Sequence, residues 1–216
     1  MFDCVIPAAG ASSRMGGFKP LLPVAGATLV EVSVRSALEA DCRVLLVVGH
    51  WGKEVAALFE AVSYADLRQA SRIVIVENPR WEEGMVGSIQ AALPKVEGAA
   101  FFVSHADMPF VAAKDYRSLA SAWAARSEAA MPVAAIFAAW DGRVGHPALL
   151  PAAWVPELLA LPPGDRLRPF LEGRERVLVE TGPSALRDID RPEEYQAALR
   201  ELTQDGKDVS QAKVVL

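Results

Sequence analysis

Near its start the chain carries a run of small residues that closes on two cations: Pro7-Ala8-Ala9-Gly10-Ala11-Ser12-Ser13-Arg14-Met15-Gly16-Gly17-Phe18-Lys19. Small residues let backbone N–H groups come close to phosphate oxygens. Arg14 and Lys19 supply positive charge suited to a polyphosphate. Two well-known phosphate loops are excluded. A dinucleotide fingerprint needs glycine where Ser12 and Met15 stand, and a P-loop needs Gly-Lys followed by Ser or Thr, whereas Phe18 precedes Lys19 and Pro20 follows it. From the residues alone, a phosphate cradle and a plain Gly/Ser turn both remain open.

Carboxylates recur at two further places. Ser104-His105-Ala106-Asp107-Met108-Pro109 follows an apolar run. A single carboxylate at the carboxyl end of a strand suits Mg²⁺, which takes one or two protein carboxylates together with substrate phosphates. Asp188 and Asp190 stand just before Pro192. Their spacing alone fits acidic decoration of a helix N-terminus, where the dipole favours negative charge. His105 and His50 read as loop residues, and Ser88 by itself reads as a helix residue.

These groups need elements to position them. Apolar runs at Phe2–Pro7, Arg43–Gly49, Ile73–Val76, Ala99–Val103 and Ala130–Phe137 are continuous rather than alternating, as strands buried on both faces require. Helical patterns lie between them at Thr28–Ala40, Lys53–Phe59, Val86–Leu93 and Lys114–Ala125. Thr28 and Glu31 form a capping box that fixes one helix start. The alternation predicts an α/β fold, a single Rossmann-like open and mostly parallel sheet with helices on both faces. Ligands bind such sheets at the carboxyl ends of the strands. After Ala138 the pattern changes. Trp140–Leu150 reads as an irregular ribbon or hairpin turning at Asp141-Gly142, a small insertion in the fold. Ala153–Leu161 reads as a helix, Pro162–Asp165 as a break, Arg176–Glu180 as a strand and Pro192–Leu202 as a closing helix. One domain over 1–203 is expected, with a loosely held tail over 204–216.

The 216 residues, 52% hydrophobic with a net charge of −5, suit one globular domain and argue against nucleic acid as the main partner. No apolar stretch reaches about 18 residues, so no membrane partner is expected. No Lys or Arg precedes the first apolar run, so no secretory leader is expected and a cytoplasmic location is. Cys4 and Cys42 lack metal or redox spacing and read as core residues in a reducing compartment.

The glycine loop, extended through Pro20-Leu21-Leu22-Pro23, resembles the long signature of the MobA/MocA-like nucleotidyltransferases. The resemblance continues in family order at Asn78–Ile89, at Asp107-Met108-Pro109, at Gly142–Pro147, at Gly164–Arg168 and at Asp188–Tyr195, and is greatest to the molybdenum cofactor cytidylyltransferase branch. It departs from the family at three positions: bulky His105 before Asp107, Leu167 in place of a glycine, and Arg191 in place of a capping Thr. The resemblance implies a nucleotide-diphospho-sugar transferase-like fold. It implies that Ala8, Ala9, Gly10, Gly84 and Ser88 contact the nucleotide and that Arg14 and Lys19 grip its triphosphate. It places Mg²⁺ on Asp107 and Asp190, with Asp188 the second choice, and acceptor contacts on Arg143, His146 and Arg168. The activity implied is transfer of CMP from CTP to a phosphate-bearing acceptor, molybdopterin first among candidates, with a molybdenum hydroxylase receiving the product. The alternatives are guanylyl or other nucleotidyl transfer to a sugar, polyol or lipid phosphate, and a non-catalytic nucleotide-binding accessory of a molybdenum enzyme.

Overall fold

The computed structural model describes residues 1–10, 18–60, 72–162 and 164–204. Its centre is a seven-stranded sheet in the order β5-β4-β1-β6-β8-β7-β9, made of β1 (Phe2–Ala8), β4 (Cys42–Val48), β5 (Ile73–Glu77), β6 (Ala100–Val103), β7 (Ala135–Trp140), β8 (Arg143–Pro151) and β9 (Arg176–Glu180). β8 alone runs against its neighbours β6 and β7; the other pairings are parallel. The sequence predicts this sheet because β1, β4 and β6 are apolar on both faces and almost wholly buried.

Two apolar layers cover the sheet. On one face Cys4, Ile6, Val44 and Leu46 pack against α1 (Leu29–Glu39), α2 (Gly52–Glu60) and α4 (Ala113–Glu128), through Val30, Val34, Val55, Tyr116 and Leu119. On the other, Val5, Leu45, Phe101 and Phe137 pack against α3 (Met85–Ala92), α5 (Val155–Leu159) and α6 (Leu167–Glu172). The capping box opens α1 as the sequence predicts: Thr28 Oγ1 accepts from Glu31 N–H, and Glu31 accepts from Thr28 N–H. Cys4 and Cys42 are buried free thiols.

A third, smaller cluster holds the end of the chain. Val24 of a short hairpin, β2 (Pro23–Val24) and β3 (Ala27–Thr28), packs with Leu29, Ile189 and Ala198 of α7 (Pro192–Gln204). Tyr195 Oη donates to the Pro23 carbonyl. Burial of Ile189 is worth about 1.5–3 kcal/mol and anchors the strap that carries Asp190.

Several segments differ from the sequence reading. The strand expected from Ala130 starts at Ala135, because a run of alanines marks burial but not strand boundaries. Trp140–Leu150 does turn back as a hairpin at Asp141-Gly142, both at positive φ, with a register shift between Phe137 and Ala139; the difference is that its second strand, β8, lies inside the main sheet rather than in a separate insertion. The helix expected over Ala153–Leu161 is a 3₁₀ turn followed by five α-helical residues. α6 was not anticipated, being only six residues long and containing Pro169. Pro163 and the tail beyond Gln204 lie outside the described residues, as does Arg14.

Candidate active site

Three charged side chains meet at the carboxyl ends of β1 and β6. Lys19 Nζ lies 2.6 Å from Asp107 Oδ2 and 2.7 Å from Asp190 Oδ1. Each arrives by a different route. Lys19 opens a 3₁₀ turn whose neighbours Phe18 and Pro20 are buried, with Phe18 packed on Trp51. Asp107 follows β6 in the turn before α4. Asp190 is set by its neighbour, since Ile189 N–H donates to the Asp107 carbonyl at 3.0 Å. Arg191, at the capping position of α7, has no capping side chain; Glu194 takes over, accepting from the N–H groups of Asp190 and Arg191.

The electrostatics of this cluster follow from partial burial. Desolvation pulls the Lys19 ammonium toward neutrality, but the Asp107 and Asp190 carboxylates outweigh it and hold its pKa above the ordinary value. Asp107 Oδ1 is buried without a hydrogen-bond partner. Two carboxylates reaching one cation position, one of them with a spare oxygen, fit a hard divalent ion that completes its shell with phosphate and water. Among the described residues no group of three or more His, Cys, Asp or Glu could hold a metal with protein donors alone. Asp188, two residues away, does not reach Lys19; burial raises its pKa.

A cavity of about 350 Å³ opens beside this cluster. It is lined by Ala8, Ala9 and Gly10 from the end of β1, and by Gly84 and Ser88 from the start of α3. Lys19, Asp107 and Asp190 line it too, so the loop, helix and metal positions named from the sequence share one space, with Arg14 outside the described residues. Gly84 sits at φ 94°, a conformation that L side chains rarely adopt, and it turns the chain into α3. Ser88 is buried; its hydroxyl donates to the Gly84 carbonyl and accepts from Asn78 Nδ2. Asn78 also receives the Arg80 N–H, so it braces the entire entry to α3.

Trp81 forms a wall of the same cavity, and the sequence reading missed it. Its ring lies against His50, which lies edge-on to Trp51. A Cβ on Gly49 would fall 2.6 Å from Trp81 Cβ and 2.9 Å from Ala9 Cβ. Glycine at 49 is therefore what lets the Ala9 loop and Trp81 close together.

A second space lies beyond His105. Arg143, His146 and Arg168 line a cavity of about 880 Å³ between β7, β8 and α6, away from the charged cluster. A junction of about 340 Å³ lined by Asp107, Asp190, His105 and His146 joins the two. His105 and Met85 border all three spaces. His105 Nε2 and His146 Nε2 are 3.0 Å apart. Burial pushes His105 down to about 4, helped by the Lys19 charge, and pushes His146 down to about 3, helped by His105. Both rings are neutral at pH 7, so one donates and the other accepts. The sequence left His105 as a loop residue, but strand register reveals the pairing. Val103 pairs with Ala148 across antiparallel β6 and β8, and two residues further on 105 faces 146. Gly145, beside His146, lets the Pro183–Leu186 turn pack close on β8: a Cβ there would fall 2.1 Å from the Ala185 carbonyl oxygen.

Comparison with known proteins extends these observations. The pattern of the MobA-like NTP transferase domain matches residues 4–179. The molybdenum cofactor cytidylyltransferase of Escherichia coli strain K12 is 31% identical over 203 residues, 94% of this chain and 97% of that protein. A nucleotidyl transferase from Methanothermobacter thermautotroptrophicus superposes with a TM-score of 0.72 at 22% identity, covering 95% of this chain and 99% of that one. Rv0371c from Mycobacterium tuberculosis H37Rv, solved in complex with manganese, superposes with a TM-score of 0.66 at 22% identity, covering 92% and 97%.

Proposed function

The chain belongs to the MobA-like NTP transferase family and is a nucleotidyltransferase, and we propose that it moves CMP from CTP to the phosphate of molybdopterin, with Mg²⁺, releasing pyrophosphate. The observation that carries this reading is the cavity in which the β1 loop, the α3 start, Lys19, Asp107 and Asp190 converge. The choice of CTP and of molybdopterin rests on likeness to the Escherichia coli cytidylyltransferase. A molybdenum hydroxylase is the expected recipient of the product, and the cytoplasm the expected site of action. No described helix is long and apolar enough to cross a membrane.

In this reading the reaction is in-line attack of an acceptor phosphate oxygen on the α-phosphorus of CTP. The O–P bond to the acceptor forms as the bond to pyrophosphate breaks. The acceptor is already ionised at neutral pH, so no general base is needed. The protein supplies positioning and charge. Ala8, Ala9, Gly10 and the start of α3 orient the nucleotide. Lys19, together with Arg14, stabilises the charge that builds on pyrophosphate. Asp107 and Asp190 would hold Mg²⁺, which neutralises phosphate charge when bound. His146 and Arg143 stand on the acceptor side, and the neutral His105–His146 pair borders the path between the two substrates.

The test is direct. The protein is incubated with each NTP, Mg²⁺ and molybdopterin, and products are identified by mass. Formation of the cytosine dinucleotide in preference to others supports the reading. Transfer only from GTP, or only to a sugar or polyol phosphate, would replace the named substrates.

A further inference from the structure

β9 closes the seven-stranded sheet and, among the described residues, pairs on one side only, with β7. It reads Arg176-Val177-Leu178-Val179-Glu180. Val177 and Val179 turn inward and pack on the apolar layer that holds Tyr116 and Leu119 of α4. Arg176, Leu178 and Glu180 share the other face, and all three are exposed.

The backbone follows the same alternation. Ala135 N–H donates to the Glu175 carbonyl, and Thr181 N–H donates to the Ala139 carbonyl. Alternate residues bond across a parallel ladder, so Val177 and Val179 serve β7. The N–H and C=O groups of Arg176, Leu178 and Glu180 therefore point to the open edge, where another strand can take them up. Charges commonly guard such edges. Here they have opposite signs and stand equally far from Leu178, which favours one particular partner. When β9 meets a second β9 antiparallel, with Leu178 opposite Leu178, each Arg176 falls opposite Glu180 of the other copy. All of these pairs join residues whose N–H and C=O groups face the edge, so each pair can exchange both of its hydrogen bonds. A parallel meeting would set Arg176 against Arg176 and Glu180 against Glu180. A slip of one residue would set edge-facing groups against inward-facing ones.

Side chains favour the same contact. The Glu180 carboxylate accepts from Asp141 and Gly142 N–H, each at 3.2 Å, which fixes it at the strand end. Arg176 has no carboxylate partner among the described residues. Leu178 is 39% exposed, and Val133, just before β7, and Trp140, at its end, are 55% and 45% exposed. We propose that the β9 edge is a self-recognition surface, where two copies of this chain pair antiparallel about Leu178 and join their sheets into one. A two-fold axis through Leu178 closes such a pair, so assembly stops at the dimer. The proposal holds whichever nucleotide and acceptor the chain uses.

The experiment measures mass by sedimentation equilibrium at about 1–100 μM, a range that brackets micromolar association. It compares the parent, Arg176→Glu, Glu180→Arg and the double variant carrying both, with circular dichroism and Tm to confirm that each folds. Mass is the readout rather than turnover, because Arg176 also lines the cavity beyond His105. The parent should dimerise. Each single variant sets like charges opposite one another at both ends of the strand pair, so its dissociation constant should rise about tenfold or more. The double variant restores the opposition and should dimerise as the parent does. An equimolar mixture of the two single variants should form a heterodimer, since one edge is then acidic at both ends and the other basic. Amide exchange at Arg176, Leu178 and Glu180 should slow as parent concentration rises, and should not in Arg176→Glu. Should Glu180→Arg unsettle the turn at Asp141-Gly142, Arg176→Glu against the parent decides alone. A parent that stays monomeric throughout the range overturns the proposal. So does a dimer that survives the single variants unchanged, or a folded double variant that fails to pair. If those amides gain protection only when a different protein is added, the edge belongs to that partner and the proposal falls as well.

Discussion

The two halves of the site are built in different ways. Around Lys19 charge is concentrated: its ammonium sits within 2.7 Å of two carboxylates, and most of the cavity lining comes from short loops at the carboxyl ends of parallel strands. In the cavity beyond His105 the groups are spread along an antiparallel hairpin and a short helix, with a neutral histidine pair at its border and several arginines in its lining. The first arrangement suits a polyphosphate whose charge changes during reaction. In the proposed reaction the second would receive the phosphate-bearing acceptor. Chemistry and acceptor recognition would in that reaction fall to different elements, and substitutions in each half should then fail in different ways.

The sharpest expected break is Asp107→Asn. It keeps size and shape but removes a charge opposite Lys19 and a donor for the metal. We expect kcat/KM for pyrophosphate release to fall about a hundredfold or more with little change in Tm. Turnover near that of the parent would remove Asp107 from the chemistry. Lys19→Ala comes next. Loss of a charge-assisted contact of about 1.5–3 kcal/mol should weaken NTP binding about ten- to hundredfold. Without NTP the sign reverses. Lys19 fills the gap between Asp107 and Asp190 in the free protein, so Lys19→Ala should bind Mn²⁺ more tightly, as read by electron paramagnetic resonance. Unchanged Mn²⁺ affinity would mean that the two carboxylates do not share a cation position.

The contrast between the halves also explains what the sequence could show. The β1 loop, the Asn78–Ser88 segment and Asp107 each follow a strand of the parallel sheet, so local pattern was enough to place them at one edge of it, but only the family resemblance gave the loop and Ser88 a role. The capping box at Thr28 was legible for the same reason. The pairing of Asp190 with Asp107 was harder. Spacing favoured Asp188 and Asp190 as helix decoration, and only the contact of Ile189 with the Asp107 carbonyl turns Asp190 toward Lys19. The His105–His146 pair joins residues 41 apart in sequence and depends on the β6–β8 register. Arg166 and Arg176 flank a helix too short to show a period. Trp81 lies within the Asn78–Ile89 stretch but has no role in the sequence, because a tryptophan after a turn carries no mark of which wall it will form.

The histidines provide a test through stability. His146 is pushed down to about 3 by burial, against an ordinary value of 6.5. Between those values the unfolded chain binds a proton that the folded chain excludes, so stability rises with pH through this window. The contribution is complete above about pH 6.5 and is lost progressively as pH falls. From pH 6.5 to 5 the loss should be about 1–2 kcal/mol, seen as a falling Tm. His146→Gln, which keeps a polar group but cannot titrate, should make that slope shallower, with the remainder coming from His105, pushed down to about 4. An equally steep slope in the variant would assign the acid sensitivity to other groups.

The smallest expected effect concerns base choice, where the halves touch least. We expect CTP to be preferred over GTP, and Ala9→Gly to relax that preference. A direct steric account has the Ala9 methyl narrowing the space for a second purine ring. The structure adds an indirect route. Ala9 is only 2% exposed, and its methyl lies where Gly49 and Trp81 close together. Removing it would leave a gap of one methyl group behind the Trp81 wall and let the indole settle inward, widening the cavity. Rejection by size in an apolar pocket is worth about 1–3 kcal/mol per methylene, so the ratio of kcat/KM values for CTP and GTP should shift by about tenfold, not by orders of magnitude. Ser88→Ala should act differently. The Ser88 hydroxyl is already engaged by Gly84 and Asn78, so its loss should lower Tm slightly as well as CTP use. Measuring both ratios with the same acceptor separates the routes. If Trp81→Phe relaxes the preference as Ala9→Gly does, the wall is the discriminator. If only Ala9→Gly does so, the loop methyl acts on the base directly. A parent that prefers GTP would place base choice elsewhere while leaving the assignment of Lys19, Asp107 and Asp190 intact.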